Sequence, residues 1–372
     1  MRVMHVVGPN FMKVAPIMAE MRRFPELFQQ TLFHTGQHYD YSMSAAFFQQ
    51  LDLPDLDEFL DVGSGSHAHQ IARVMVDFEA AVLRHRPDWV FVAGDVNSTV
   101  ACALVCARLG IKLAHVEAGL RSRDRSMPEE INRIVTDGIS DLLFTPSRDA
   151  NKNLRREGVQ REQIQLVGNV LIDSLIKMMP RVERCDAVQR QGLKSCRFAL
   201  LTLHRPDNVD DPETLDELLT RLNEVAALLP VLFPVHPRTR ARIGDRRIAA
   251  VRGVSVLAPL DYISFIALMK AACVVVTDSG GVQEETTYLG VPCLTIGSNT
   301  ERPVTITCGT NRLIRAKELT AAVSQVMSSD TSHRRRPELW DGKSAARIVR
   351  VMSRKCCEAD STAALAGRMS LV

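Results

Sequence analysis

Residues 274–285 read Val-Val-Val-Thr-Asp-Ser-Gly-Gly-Val-Gln-Glu-Glu. The β-branched run at its start is typical of a buried strand, which stops at Asp278. Ser279, Gly280 and Gly281 form a turn, after which a helix begins. Backbone N–H groups at a helix N-terminus lack intrahelical partners, and together with the helix dipole they favour a phosphate or diphosphate. The stretch therefore predicts an α/β fold with a nucleotide-binding turn, although an ordinary capped turn has the same pattern.

Strand-like and helix-like stretches alternate through the whole chain. The predicted strands are residues 2–7, 31–34, 89–93, 112–116, 142–145 and 164–167, then 198–202, 231–235, 254–257, 274–277, 293–296 and 312–314. Such alternation is typical of parallel sheets covered by helices. We therefore expect two doubly wound, Rossmann-like domains, residues 1–175 and 176–351, with residues 352–372 packed back on the first domain or disordered. Ligands of such sheets bind beyond the carboxyl ends of the strands, so we expect one substrate in a cleft between the domains.

The composition argues against several classes of function. The 372 residues are 46% hydrophobic and 24% charged, which is typical of a soluble globular protein. A net charge of +3 without a long basic run gives no support for nucleic acid binding. No apolar stretch approaches the ~20 residues of a membrane span, and the N-terminal residues are typical of a strand instead of a signal peptide. We expect a cytosolic protein that binds neither nucleic acid nor membrane.

Neither a metal nor a redox cofactor is expected. The nine cysteines lack metal-ligand spacing, and their odd number without an export signal predicts reduced, mostly buried thiols. His67 and His69 have no third metal ligand nearby in sequence. Residues 63–68 match the dinucleotide pattern Gly-x-Gly-x-x-Ala, but they follow the acidic residues 55–62 instead of a first strand, so we interpret them as a flexible loop. The turn after the first strand, residues 8–11, has a single glycine, which disfavours nicotinamide or flavin.

Ionisable residues follow the predicted strands in both halves of the chain. They are Asp95, Glu117, Glu129 and Arg133 in the first half, and His204, Arg205 and His236 in the second. Taken singly, each is adequately explained as a surface ion pair or a cap. Three carboxylates, two histidines and several arginines that face one cleft fit acid/base chemistry on an anionic ligand better.

These residues resemble the non-hydrolysing UDP-N-acetylglucosamine 2-epimerases. The resemblance runs from about residue 2 to about residue 350, and several strings agree in order and separation: Asp95 and residues 115–121, 128–133, 204–205, 234–236, 277–285 and 300–303. It implies the glycosyltransferase-B architecture, a homodimer and no redox cofactor. It also implies interconversion of UDP-N-acetylglucosamine and UDP-N-acetylmannosamine, which supplies bacterial envelope polysaccharides.

The chemistry of that family accounts for the residue types. UDP is eliminated to give a 2-acetamidoglucal, and UDP then returns with C2 inverted. Because the C2 proton is weakly acidic, loss of the diphosphate must lead, and a carboxylate can stabilise the oxocarbenium character at C1. By resemblance the catalytic residues are Asp95, Glu117 and Glu129, assisted by Lys13, Arg133 and His204, and spacing does not decide which carboxylate is the base. By resemblance the nucleotide is bound by Ser279, Gly280, Gly281, Glu285, Phe265 and Arg302, with Phe265 stacked on uracil.

The first turn departs from the family pattern. The family has Gly-Thr-Arg-Pro before its lysine, whereas residues 8–13 here are two residues shorter and lack the threonine and arginine. That arginine ordinarily reaches the nucleotide, so we expect weaker UDP binding. The shorter turn also predicts that Lys13 is displaced.

The activator site of the family is also altered. Many bacterial members bind a second UDP-N-acetylglucosamine through motifs of which Gln37, His38 and His236 persist here. Residues 39–40 and 206–207 replace the basic and acidic partners. We therefore expect an impaired activator site.

Four other functions remain open from the sequence. The same catalytic set would serve a UDP-diacetamido-uronic acid, and a hydrolysing epimerase would release free N-acetylmannosamine and UDP. Glycosyl transfer needs one acceptor base and would leave three strand-end carboxylates without a role. A nucleotide-sugar-binding protein that has lost turnover is supported by the shortened first turn.

Overall fold

The computed structural model describes residues 1–8, 10–36, 50–63, 65–235, 237–244, 251–329 and 335–369, with backbone alone at 237–238 and 359–369. The chain forms two compact units, Met1–Ser174 with Glu338–Val372, and Leu175–Pro337. The first boundary lies one residue before the expected position. The second differs more, because residues 338–351, expected in the second domain, belong to the first unit.

The first unit contains a seven-stranded parallel sheet within the described residues. Its strands are β1 (Arg2–Val7), β2 (Gln29–His34), β3 (Glu58–Phe59), β4 (Trp89–Ala93), β5 (Lys112–Val116), β6 (Leu142–Thr145) and β7 (Ile164–Leu166). They lie in the order β3-β2-β1-β4-β5-β6-β7. Only β3 was not predicted, because an edge strand of two residues leaves no periodic pattern.

The second unit contains a six-stranded parallel sheet of the same kind. Its strands are β8 (Ala199–Thr202), β9 (Val231–Pro234), β10 (Val254–Leu257), β11 (Val274–Thr277), β12 (Cys293–Ile296) and β13 (Asn311–Ile314). Their order is β10-β9-β8-β11-β12-β13. The predicted class, two doubly wound Rossmann-like units, is confirmed.

Helices connect the strands and cover the sheets. In chain order they are α1 (Phe11–Met21), α2 (His67–His85), α3 (Asn97–Leu109), α4 (Pro128–Ile139), α5 (Arg148–Arg156), α6 (Val170–Val182), α7 (Ala187–Arg190), α8 (Pro206–Val209), α9 (Pro212–Leu228), α10 (Pro237–Ile243), α11 (Tyr262–Ala271), α12 (Gly280–Leu289), α13 (Val304–Thr307), α14 (Leu319–Ser328) and α15 (Ser344–Met369). Short 3₁₀ turns occupy Arg161–Gln163 and Ala316–Glu318. No helix in the described part of the chain has the length and apolarity to cross a membrane.

Continuous apolar runs form the central strands because both faces of each sheet are covered. All five residues of β4 and all four of β11 are buried. In the first unit Phe33 and Leu113 on strands pack in one core with Val74 and Phe78 on α2. Burial of each such side chain contributes about 1.5–3 kcal/mol, so the apolar runs fix which segments become strands.

Each sheet has a switch point where the strand order reverses. It lies between β1 and β4 in the first sheet and between β8 and β11 in the second. The loops that follow these strands diverge at the carboxyl edge, and doubly wound proteins bind ligands in the crevice that results. Residues 8, 10–13 and 94–95 lie at the first switch point, and residues 203–205 and 278–281 lie at the second.

The C-terminal segment is held on the first unit. The Asp173 carboxylate accepts a hydrogen bond from the Ala345 N–H at 2.7 Å, at the start of α15. Gly168 has φ +93°, and a Cβ there would lie 2.1 Å from the Leu339 carbonyl oxygen, so only glycine allows this approach. Of the two expectations for residues 352–372, the described part is helical and belongs to the first unit, since α15 runs from Ser344 to Met369.

Candidate active site

Lys13 and Glu117 form an ion pair beside the first switch point. Lys13 lies in the first turn of α1, and Glu117 directly follows β5. Glu117 has φ +69°, a left-handed conformation that is uncommon for any residue but glycine and is held only where the surrounding structure enforces it. The shortened first turn therefore does not keep Lys13 away from Glu117.

The first turn packs directly on the end of β4. The Asn10 amide donates to the Ala93 carbonyl oxygen at 2.8 Å. Gly94 has φ +71°, and a Cβ there would lie 2.9 Å from Asn10 Nδ2 and 3.1 Å from Lys13 Nζ. A glycine is therefore needed at 94 for Lys13 to lie over the strand end.

Arg133 orients the second candidate carboxylate. Its buried guanidinium contacts Asp95 Oδ2 at 2.8 Å and Glu130 Oε2 at 2.9 Å. Glu130 also accepts the backbone N–H groups of Ser122 and Arg123, so its role is structural. The Asp95 side chain remains 25% exposed, which leaves it accessible to a ligand.

Glu129 differs from the other two candidate carboxylates. It lies exposed on the first turn of α4, and within the described residues its side chain has no hydrogen bond or ion pair. The structure thus holds Asp95 and Glu117 with cations, and it leaves Glu129 without such a partner.

A buried network that was not predicted supports these loops. His115 Nδ1 lies 2.7 Å from Asp137 Oδ1, and His115 Nε2 lies 2.8 Å from the Gly94 carbonyl oxygen. Asp137 also pairs with Arg121 at 2.7 Å. Burial alone would raise the pKa of Asp137, but the charges of His115 and Arg121 and their hydrogen bonds outweigh it and hold the pKa below its ordinary value. The available signal was position, since Asp137 lies one turn beyond Arg133 on the buried face of α4.

Asp278 joins the two loops of the second switch point. Its fully buried carboxylate accepts the backbone N–H groups of His204 and Arg205 at 3.0 and 2.9 Å, and the Asn208 amide at 3.0 Å. Burial would raise the pKa of Asp278, but His204 and the other donors outweigh it and lower the pKa. His204 Nδ1 lies 2.8 Å from the carboxylate while 52% of its side chain is exposed. The imidazole is therefore fixed on one side and open to a ligand on the other.

Arg302 lies against the N-terminus of α12. Its guanidinium contacts Glu284 at 2.9 Å and Glu301. A Cβ on Gly280 would lie 2.2 Å from Arg302 Nη1, so glycine is required for this close approach. Ser279 caps the helix through its backbone and leaves its hydroxyl out of the cap. The predicted turn and the predicted arginine are thus brought together, as a diphosphate site needs.

Glu285 is a buried carboxylate in the same helix. Because α12 begins at Gly280, Glu285 and its neighbour Glu284 both lie beyond the first helical turn. Burial, strengthened by the neighbouring Glu284, raises the pKa of Glu285 to about 8 although the Tyr262 hydroxyl donates to it at 2.7 Å. Phe265 is half-buried on α11, one turn from Tyr262.

Other predicted features have mixed outcomes. Gln37, His38 and His236 lie outside the described residues. Residues 63–68 are not wholly a loop, because Ser66 caps α2 and the helix begins at His67. All nine cysteines are free, but only four are buried, with two half-buried and three exposed, so fewer are buried than expected.

Comparison with known proteins adds independent information. Residues 20–353 match the family model described as UDP-N-acetylglucosamine 2-epimerase. The UDP-N-acetylglucosamine 2-epimerase of Methanococcus maripaludis is 37% identical over 357 residues, which cover 92% of this chain and 95% of that protein. The UDP-2,3-diacetamido-2,3-dideoxy-D-glucuronate 2-epimerase of Pseudomonas aeruginosa is 40% identical over 322 residues, covering 85% and 89%.

A solved structure is similar over almost the whole chain. It is the UDP-GlcNAc 2-epimerase of Methanocaldococcus jannaschii in complex with UDP-GlcNAc and UDP. Its TM-score is 0.88 at 36% identity, and the match covers 95% of this chain and 100% of that one.

Proposed function

The chain belongs to the UDP-N-acetylglucosamine 2-epimerase family, and on that premise we propose that it interconverts UDP-N-acetylglucosamine and UDP-N-acetylmannosamine by inverting C2. The observation that carries the proposal is the Lys13–Glu117 pair beside the first switch point, with Glu117 held in a left-handed conformation. Backbone strain of this kind persists at sites where it positions a reacting group.

Inversion at C2 needs a proton removed from one face and a proton delivered to the other. Asp95 and Glu117 are each held by a cation, Arg133 and Lys13, so both are oriented carboxylates. We assign these two carboxylates to proton transfer at C2 and to stabilisation of positive charge at C1. Glu129 completes the proposed set as an exposed carboxylate on α4.

The leaving group carries the negative charge of a diphosphate. His204, Arg302 and the N–H groups of the turn at Ser279, Gly280 and Gly281 are proposed to bind it, since cations and helix N-termini stabilise such anions. Glu285 is proposed to bind the ribose, and Phe265 the uracil. We further propose a cytoplasmic homodimer that supplies polysaccharide synthesis, with the dimer testable by light scattering of the eluted protein.

A second substrate is favoured by one specific observation. The Pseudomonas relative at 40% identity acts, by its name, on a UDP-2,3-diacetamido-2,3-dideoxy-D-glucuronate. Its chemistry at C2 is the same, and the same residues would serve. The two substrates differ at C3 and C6, so direct assay of both sugars separates them.

Proton NMR in deuterated water tests the proposal. Purified protein is incubated with UDP-N-acetylglucosamine and, separately, with the diacetamido sugar. In the incubation with UDP-N-acetylglucosamine, we expect two UDP-sugars that equilibrate with each other and carry deuterium at C2. Free N-acetylmannosamine with UDP would indicate a hydrolase. An unchanged spectrum with saturable binding would indicate a binding protein, and exchange on the diacetamido sugar alone would reassign the substrate.

A further inference from the structure

A small pocket lies directly beside the Lys13–Glu117 pair, entirely within the first unit. Most of its remaining wall is apolar, formed by Val116, Pro146, Val170 and Leu171. One uncharged polar side chain, Asn169, also lines it. The free space in this pocket is only about 10 Å³, so a ligand enters it with no more than a small terminal group, apolar at one end and polar at the other.

The Asn169 amide is buried with half of its hydrogen-bonding capacity unused. The residue is 3% exposed and lies three residues after β7, immediately before α6. Its Oδ1 accepts the Leu171 N–H at 2.9 Å, in the manner of a helix cap. Because a backbone N–H can only donate, that contact fixes which end of the amide is oxygen.

Asn169 Nδ2 is left without an acceptor among the described residues. Buried donors without partners are rare because they lose their hydrogen bonds to water and gain none in return. Capping does not explain the amide, since serine, threonine or aspartate would supply the same acceptor oxygen. An acceptor atom of a ligand would satisfy it, as would a water that such a ligand displaces.

We propose that this pocket binds the 2-acetamido group of the sugar, with Asn169 Nδ2 donating to the acetamido carbonyl oxygen and the apolar wall contacting the methyl group. The proposal rests on the proposed function, because a carboxylate that acts at C2 must lie next to the substituent that C2 carries. Both candidate substrates have an acetamido group at C2, so the assignment holds for either. Asn169 is then the residue that distinguishes a 2-acetamido sugar from a 2-hydroxy sugar.

Equilibrium binding of UDP-N-acetylglucosamine and UDP-glucose tests this assignment. If the protein epimerises UDP-N-acetylglucosamine during the measurement, the mixture is left until it reaches equilibrium. The equilibrium ratio of the two epimers does not depend on the variant, so the affinities of the variants for this ligand can be compared. Asn169→Ser keeps an acceptor oxygen for the Leu171 N–H and removes the amide donor. We expect the wild-type preference for the acetamido sugar to fall by about three- to tenfold, the worth of one neutral hydrogen bond, with UDP-glucose affinity unchanged.

The matched control is Asn223→Ser in the second unit. Asn223 is exposed, and its Oδ1 accepts the Arg252 N–H at 2.8 Å, so the same change removes an amide from a comparable contact. It should leave the preference intact. If thermal unfolding shows that Asn169→Ser does not fold, Asn169→Asp takes its place, since a carboxylate also caps and lacks the donor.

The assignment is overturned if the preference survives in a folded Asn169 variant, or if the wild-type protein binds the two sugars equally. Failure of the proposed function gives a different pattern. In that case neither candidate sugar is turned over, yet the wild-type protein prefers the acetamido sugar and the Asn169 variant does not.

Discussion

The two switch points of the molecule occupy equivalent places in their sheets and use charge in opposite ways. In the first unit, Glu117 and Asp95 lie at the carboxyl edge of the sheet. Lys13 pairs with Glu117, and Arg133 pairs with Asp95. In the second unit the corresponding carboxylate, Asp278, is fully buried and accepts backbone N–H groups. The same topology therefore yields a site that presents carboxylates and a site that presents cations and N–H groups, suited to proton transfer and to anion binding respectively.

The largest expected effect comes from removing the charge of Glu117. Glu117→Gln should lower turnover by at least about a hundredfold, since a positioned acid, base or charge-stabilising group supplies ~10² or more. UDP affinity, measured by calorimetry, should change little, because the carboxylate contacts the sugar and not the nucleotide in the proposed role.

Asp141→Asn is the control for that experiment. Asp141 pairs with Lys112 at 2.6 Å on the surface of the first unit, so the change also neutralises a lysine-paired carboxylate. Its turnover should stay within a few fold of the parent. If folded Glu117→Gln behaved like this control, Glu117 would not be a catalytic residue. The first switch point could then no longer be assigned to proton transfer through Glu117.

The next largest effect tests the anion site of the second unit. Gly280→Ala places a methyl group where Arg302 Nη1 lies, 2.2 Å from the new Cβ, and the guanidinium must move. UDP affinity should fall by about ten- to hundredfold, as expected for a lost charge-assisted hydrogen bond. Gly138→Ala in α4 is the matched control, because a Cβ there meets nothing within 4 Å. Equal UDP affinity in both variants would show that Arg302 does not bind the diphosphate.

Strand positions were predictable because burial on both faces writes apolar runs into the sequence, as in β4 and β11. The two-residue β3 was not predictable from such a run. The return of the chain to the first unit at Glu338 was not predictable either, because it depends on contacts between residues 170 or more positions apart, which no local pattern encodes.

The candidate site was predictable in part. The end of β11 located Gly280, and strand ends located Asp95 and Glu117. The buried residues Asp137 and Asp278 were not predicted as site residues. In sequence, an aspartate whose carboxylate accepts hydrogen bonds from loop N–H groups cannot be distinguished from an aspartate on the surface. Asn169 was missed for the same reason, since an asparagine that follows a strand predicts no more than a cap.

The pH dependence of stability distinguishes two buried carboxylates of the second unit. Burial raises the pKa of Glu285 to about 8, from an ordinary value of 4.5. The folded protein then keeps a proton that the unfolded chain has released, so this contribution is complete below pH 4.5 and is lost as the pH rises to about 8. Asp278, whose pKa is lowered, has the opposite sign: its contribution is lost as the pH falls.

Glu285→Gln should therefore flatten the decline of the unfolding free energy between pH 5 and pH 8, where one proton gives a slope of at most about 1.4 kcal/mol per pH unit. Urea titrations at four pH values, without UDP, measure it. Tyr262→Phe should extend the decline to higher pH without changing where it begins, since the lost hydroxyl stabilised the charged form in the folded protein. A decline of equal slope in Glu285→Gln would assign the proton to another group.

The smallest expected effect concerns the shortened first turn. Inserting Thr-Arg after Gly8 should tighten UDP binding by about tenfold, the worth of one charge-assisted contact. Turnover at saturating substrate should not rise, because Lys13 already contacts Glu117 without the insertion. Inserting Thr-Ala at the same place separates the charge from the added length and should leave UDP affinity unchanged.

The surroundings of Gly8 make the outcome informative in both directions. A Cβ on Gly8 would lie 3.1 Å from the hydroxyl oxygens of Ser98 and Thr35, so the turn is already closely packed and a longer one must project outward. If calorimetry showed equal UDP affinity with Thr-Arg and Thr-Ala, another cation would already meet the nucleotide, and Arg205 would be the first to replace. If Thr-Arg weakened UDP-N-acetylglucosamine binding but not UDP binding, the short turn would be fitted to a bulkier sugar, and the diacetamido substrate would become the better assignment.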